Sequence, residues 1–187
     1  MLLKTNEYIK RAYAIACAHG FHDDKELSIE HYLMLVITEV SEMVEAHRKG
    51  KYADVLSFVE QEEICSFEDR YVSYIKGSVE EEMADVCIRL YDLAGDVGMK
   101  FSDRVLQSQS CFRLEKELLQ SQEFTKRAFH LCKIIATCGE FPLESTISVA
   151  ICYVEQLAED LNIELEWHIE QKMKYNETRP KLHGKKY

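Results

Sequence analysis

The sequence predicts an all-α fold, on three observations: long stretches with helical apolar periodicity, little punctuation, and capping residues where those stretches begin and end. Only seven Gly and two Pro, Pro142 and Pro180, interrupt 187 residues, too few for the many turns of a sandwich or barrel. Hydrophobic residues make up 47% of the chain and charged residues 30%. That balance suits one domain over residues 1–187 with a sizeable core.

A first helix is expected over about 6–19, stopped by Gly20 and followed by the polar loop His22, Asp23, Asp24, Lys25. Glu7, Lys10 and Arg11 cut through its apolar positions, which fits an amphipathic helix and neither a signal peptide nor a membrane span. A second helix starts after Ser28, a good N-cap, and runs to Gly50. Residues 51–78 read as a variable insert of one or two short helices with an irregular turn near 65–69; it is rich in aromatics, Tyr52, Phe58, Phe67, Tyr71 and Tyr74. A third strong helix follows Ser78 and reaches Gly95 or Gly98. Further helices are expected over about 113–136, 143–161 and 164–179, with a break at 138–142 and Pro180 closing the last.

A weak repeat relates 93–101 to 157–165, and the same offset sets Thr146 and Val149 opposite Glu82 and Asp85. Two readings are open: a second copy that lost its acids, or the apolar spacing any two amphipathic helices share.

Charge narrows the partners. A net charge of −10 disfavours a nucleic-acid polymer, whose phosphates need a cationic face. The charge is uneven: residues 172–187 carry six Lys or Arg against Glu177 alone, a net of +5 that leaves −15 for the rest. A small anion bridged by a metal would suit both halves. Seven scattered cysteines without a C-x-x-C read as reduced, mostly buried thiols, so the cytosol is the expected compartment.

Two helices carry acids inside apolar surroundings. On the second, Glu39 and Glu42 stand at i and i+3 among Leu33, Val36, Val40 and Met43. On the third, Glu82, Asp85, Arg89 and Asp92 form one narrow line flanked by Met83, Val86, Leu90 and Leu93. Such acids are either solvated, as most are, or buried. If buried and ionised they repel by about 4 kcal/mol per pair at ~4 Å and an effective dielectric of 20, so they must protonate or gather a cation. An all-oxygen set without histidine favours Mg²⁺ or Mn²⁺. On the last helix Lys172, Asn176 and Arg179 share one face, either a solvated basic tail or a grip for phosphate oxygens. Trp167, His130 and His168 read as packing residues.

Glu39-Val-Ser-Glu42, then Glu82-Met-Ala-Asp85 within Glu81 to Ala94, and the ending from Lys172 through Asn176, Arg179 and His183 to Tyr187 resemble the E-x-x-E and E-x-x-D signature and tail of the MazG-like all-α nucleoside triphosphate pyrophosphohydrolases. The likeness covers about 20–50, 78–101 and the last 25 residues. The 39 residues between Glu42 and Glu82 and the additional helices within about 102–161 depart from the simpler members.

The resemblance implies a helical bundle of the all-α NTP pyrophosphatase type with extra inserted helices, and Mg²⁺-dependent hydrolysis of a (d)NTP to monophosphate and pyrophosphate. Glu39, Glu42, Glu82 and Asp85 would hold the metal, and Glu42, Glu45 or Glu81 would accept a proton. Arg89 and Asp92 would orient the metal ligands, while Lys172, Asn176 and Arg179 would hold phosphates. Phe21 and the aromatics of 52–74 are candidates to stack on the base, and 183–187 either folds over the substrate or frays. A homodimer or larger oligomer is expected, with no nucleic acid and no membrane. Two alternatives are a nucleotide-binding protein without turnover and, more remotely, a di-metal carboxylate oxidoreductase, which would need E-x-x-H pairs that the chain lacks.

Overall fold

The computed structural model describes residues 4–23, 27–101, 123–184 and 186; these form eight α-helices and no strand, as expected of an all-α fold. They are α1 (Thr5–Ala18), α2 (Ile29–Arg48), α3 (Val55–Glu60), α4 (Phe67–Arg70), α5 (Val79–Asp96), α6 (Phe124–Ala136), α7 (Leu143–Asp160) and α8 (Leu165–Thr178). A π-helical stretch, Tyr71–Ile75, continues α4, and a short 3₁₀ turn, Lys181–Gly184, follows α8. Residues 113–122 of the expected sixth helix lie outside the described residues.

Local chemistry sets the boundaries. Ser28, Asp54, Ser66 and Ser78 each accept a hydrogen bond from a first-turn N–H of α2, α3, α4 and α5, satisfying donors that have no partner within the helix. The helix α5 runs past Gly95 and stops at Gly98, whose φ of +70° lets Met99 N–H reach back to Ala94 O at 2.8 Å. At the end of α7, Asn162 at φ +57° does the same, with Ile163 N–H on Ala158 O at 2.9 Å. The repeat at 93–101 and 157–165 is therefore a shared helix-ending motif. In the 51–78 segment the irregular turn lies at 61–66, because Ser66 already caps α4.

The centre of the bundle is α5. It packs against α1, α2, α7 and α8, while α6 bridges α2 and α7. Val79, Met83, Val86, Cys87, Leu90, Tyr91 and Leu93 are fully buried on it, so its polar side chains also project into protein rather than water. A satellite core holds Phe58, Tyr71, Ile75 and Tyr175 with Phe67, Tyr74 and Trp167 around them. This accounts for most aromatics of the insert and for Trp167, which meets Phe58 edge-on at 5.6 Å. His130 stacks on Tyr153, and buried His168 is held neutral, its pKa lowered to about 4 by desolvation. No helix among the described residues is long and apolar enough to cross a membrane, and the six described cysteines are free thiols.

Gly95 is a packing residue. A Cβ there would lie 2.5 Å from Tyr13 Cβ and 3.2 Å from Ile9 O, so α1 reaches its seat on α5 only because the side chain is missing. Gly95→Ala is expected to destabilise the fold by about 1–2 kcal/mol, the clash outweighing the gain in helix propensity. Urea denaturation checks this, and an equal or higher midpoint would contradict it.

Candidate functional site

Three consecutive glutamates open α5, and the 100° step between helical residues sends them three ways. Glu80 turns to the 51–78 segment, where it accepts from Ala53 N–H at 2.9 Å. Glu81 is buried and accepts from Tyr71 Oη–H at 3.1 Å, from Gly77 N–H and from Lys172 Nζ. Glu82 faces α2. There one carboxylate oxygen from each of Glu39, Glu42 and Glu82 falls within 4.8 Å of the others, with Glu39 and Glu82 buried and Glu42 exposed. All three acids sit near the α5 N-terminus or across from it, where the helix dipole favours negative charge by a few tenths to about 1 kcal/mol.

That is too little for so many acids. Glu39, Glu42, Glu81, Glu82 and Asp85 share two fixed cations: Arg89, whose Nε donates to Glu39 Oε1 at 2.8 Å, and Lys172, whose Nζ lies 2.5 Å from Glu81 and 2.6 Å from Asp85. The shortfall appears as protonation. Burial, with Asp85 and Glu81 nearby, pushes the Glu82 carboxyl up to about 9. Burial and Asp85 also raise Glu39, against the pull of Arg89. Burial opposes the charge on Lys172, but Asp85 and Glu81 outweigh it and hold the ammonium above its ordinary range.

A cleft of about 590 Å³, counted to its open mouth, adjoins the acids. Ala12, Ile15, Ala16, Phe21, Ile88 and Met173 make an apolar wall; Glu39, Asp85, Arg89, Asp92, Asn176, Arg179 and His183 make a polar one. This mixture fits a small ligand with one apolar and one charged end.

The residues named from sequence separate into groups. Glu39, Glu42 and Glu82 converge; Asp85 joins them from α5 but is bound by Lys172. Lys172, expected at a phosphate, is deeply buried and lies between Glu81 and Asp85. Arg89 Nε donates to Glu39 Oε1. Asp92 does not touch the acids: it pairs with His22 Nε2 at 2.8 Å. Glu81 is engaged by Tyr71, Gly77 and Lys172, and Glu45 is paired with Arg48 and Lys49, its pKa drawn down to about 2 by the Arg48 hydrogen bond first. Asn176 and Arg179 line the cleft. Of the aromatics proposed to stack on a base, Phe21 alone among those described reaches it.

Sequence reasoning missed His22. Its Nδ1 lies 3.3 Å from Asp96 Oδ1 and from the Tyr32 hydroxyl, so the ring fastens the loop after α1 to α5 and α2. The Asp92 hydrogen bond raises its pKa, against burial. No spacing signal could have paired residues 22 and 92.

The donor set fits a hard divalent cation: three oxygen ligands, no sulfur or nitrogen, and unbalanced negative charge. No protein-family model matches the chain, and no curated protein or solved structure does.

A glutamate titrates near 4.5 in the unfolded chain, whereas folded Glu82 keeps its proton to about 9. Across that window the folded state binds more protons, so its contribution to stability is fully present below 4.5 and declines as pH rises towards 9. Metal-free Glu82→Gln is expected to be more stable than wild type by about 1–3 kcal/mol at pH 8 and equal to it near pH 4. Mg²⁺ should stabilise the wild type at pH 8 and not the variant. Chemical denaturation with and without Mg²⁺ measures both, and no difference at pH 8 would count against buried, unbalanced acids.

Proposed function

We propose that this chain is a Mg²⁺-dependent nucleoside triphosphate pyrophosphohydrolase, hydrolysing a (d)NTP to the monophosphate and pyrophosphate. The observation that carries this reading is the convergence of Glu39, Glu42 and Glu82 within 4.8 Å at the end of a half-apolar cleft. The motif resemblance supports it, with Glu39 and Asp85 of the acids and Asn176, Arg179 and His183 of the ending lining one cleft.

Glu39, Glu42 and Glu82 would hold Mg²⁺, with Asp85 behind them on Lys172. Bound there, the ion supplies countercharge to the acids and phosphates and a lowered pKa for water. Arg89 fixes Glu39, so that carboxylate needs no reorganisation. Glu42 faces solvent, and its carboxylate oxygen takes the proton of the attacking water. Water adds across the α–β phosphoanhydride, one P–O bond forming as the bond to pyrophosphate breaks. Arg179 at the cleft supplies a fork-shaped donor for phosphate oxygens. Ala12, Ile15, Ala16 and Phe21 receive the base and exclude water. A cytosolic homodimer belongs to the same reading, supported by free thiols and by exposed Leu56, Val59 and Ile64 on the 51–78 segment.

One observation favours a second reading, nucleotide binding without turnover: Lys172 Nζ at 2.6 Å from Asp85 withdraws one of the four motif acids. The di-metal oxidoreductase gains nothing, since the one metal-competent group among the described residues contains no histidine.

Incubation with the common dNTPs and NTPs plus Mg²⁺, with chromatographic separation of products, tests the reading. Monophosphate should form from at least one of them, Glu42→Gln should slow it about 10²-fold or more, and Glu45→Gln should leave the rate within about twofold, since its ion pairs lie at the surface. Binding of a dNTP by calorimetry without any product would support the second reading instead.

A further inference from the structure

We infer that the strap after α8, residues 180–184, is a phosphate clamp in which His183 Nε2 donates a hydrogen bond to an oxygen of the bound polyphosphate. The inference rests on the nucleoside triphosphate reading above and adds to it a binding residue outside the acid motifs.

The backbone of the strap is strained. Leu182 and His183 are adjacent non-glycine residues at φ +51° and +50°, a region that L side chains avoid and that persists only where surrounding contacts enforce it. Besides His183 N–H on Pro180 O at 2.8 Å within the strap, those contacts come from the end of α1 and its loop, or from α8. Leu182 N–H donates to His19 O at 2.8 Å, Lys181 Nζ lies 2.6 Å from Asp23 Oδ2, and Arg179 Nη2 donates to His183 O at 3.3 Å. The His183 ring meets Phe21 edge-on at 5.0 Å and His19 at 5.2 Å. The same loop is fastened to α5 by His22 on Asp92, so the described part of the loop and the strap form one rim.

His183 lines the cleft, and its Nε2 is buried without a hydrogen-bond partner. An unsatisfied buried polar nitrogen costs about 1–3 kcal/mol. The surroundings say what is missing. Burial above all holds the ring neutral, and Arg179 and Lys172 on or beside α8, His19 at the end of α1 and Arg89 on α5 add to it electrostatically. A neutral N–H donor in a cationic field is matched by an anion with acceptor oxygens. With Lys172 committed to Glu81 and Asp85, Arg179 and His183 are the donors at this end of the cleft. Asn176 Oδ1, on a residue only 7% exposed, is likewise unpartnered at the same wall; it accepts from water on the ligand. Two buried polar atoms of one cleft wall therefore lack what a hydrated polyphosphate would supply.

The probe is inorganic tripolyphosphate with Mg²⁺, titrated calorimetrically into the full chain, with amide hydrogen exchange followed at Leu182. The wild type should bind, His183→Ala should bind about tenfold or more weakly, as expected for a hydrogen bond to a charged group, and His183→Gln, which keeps a donor, should stay within about threefold. Exchange at Leu182 should slow when the wild type is loaded and not when His183→Ala is. No binding to the wild type, equal binding by His183→Ala, or unchanged exchange overturns the inference. Since no readout requires turnover, tripolyphosphate binding through His183 without hydrolysis of any nucleotide would sink the hydrolase reading and leave the clamp standing; hydrolysis unaffected in His183→Ala would do the reverse.

Discussion

Too much negative charge lies between α2 and α5 for the protein alone to balance. Glu39 and Glu82 are buried, Glu42 is beside them, and Glu81 and Asp85 share the same helix turn. Arg89 and Lys172 are the fixed countercharges. Burying an unpaired ion costs several kcal/mol, so the remaining charge must be removed by protonation or met by a cation. The position of Glu82, pushed up to about 9, is the mark of that constraint in the metal-free chain.

Much of the surrounding architecture serves it. The helix α5 is central because both of its faces are apolar, and this is what buries its acids. Gly95 lets α1 close on α5, bringing Ala12, Ile15 and Ala16 to the cleft. The 51–78 segment gives Glu80 and Glu81 their partners, Ala53 N–H, Gly77 N–H and Tyr71 Oη, so it buttresses the first turn of α5. The helix α8 contributes Lys172 within the bundle and Asn176 and Arg179 at the cleft. One helix thus links the balance of the acids to the wall of the cleft.

The parts of this arrangement that were legible in the sequence are those set by local chemistry. Ser28 and Ser78 marked the starts of α2 and α5, and periodicity put Glu39 with Glu42 and Glu82 with Asp85 on shared faces. The convergence of those two faces was implied by the motif resemblance and not by periodicity. What was illegible depends on pairs far apart in the chain. Lys172 looked available for phosphate because its partners stand 91 and 87 positions away, and Asp92 looked like a neighbour of the metal acids because His22, 70 positions away, left no periodic trace. Gly95 read as a helix stop because nothing in its local sequence reveals that Tyr13 lies against it. The likeness between 93–101 and 157–165 had a cause, the shared left-handed ending at Gly98 and Asn162, and it concerned helix termination rather than lost acids.

The metal-holding acids are the claim on which the rest turns, and they can be observed directly. Crystals grown with Mn²⁺ in place of Mg²⁺, measured at a wavelength where manganese scatters anomalously, are predicted to give a peak bounded by the carboxylates of Glu39, Glu42 and Glu82. An anomalous map with no peak there, in crystals whose Glu39 and Glu82 carboxylates remain together at saturating Mn²⁺, would contradict the account.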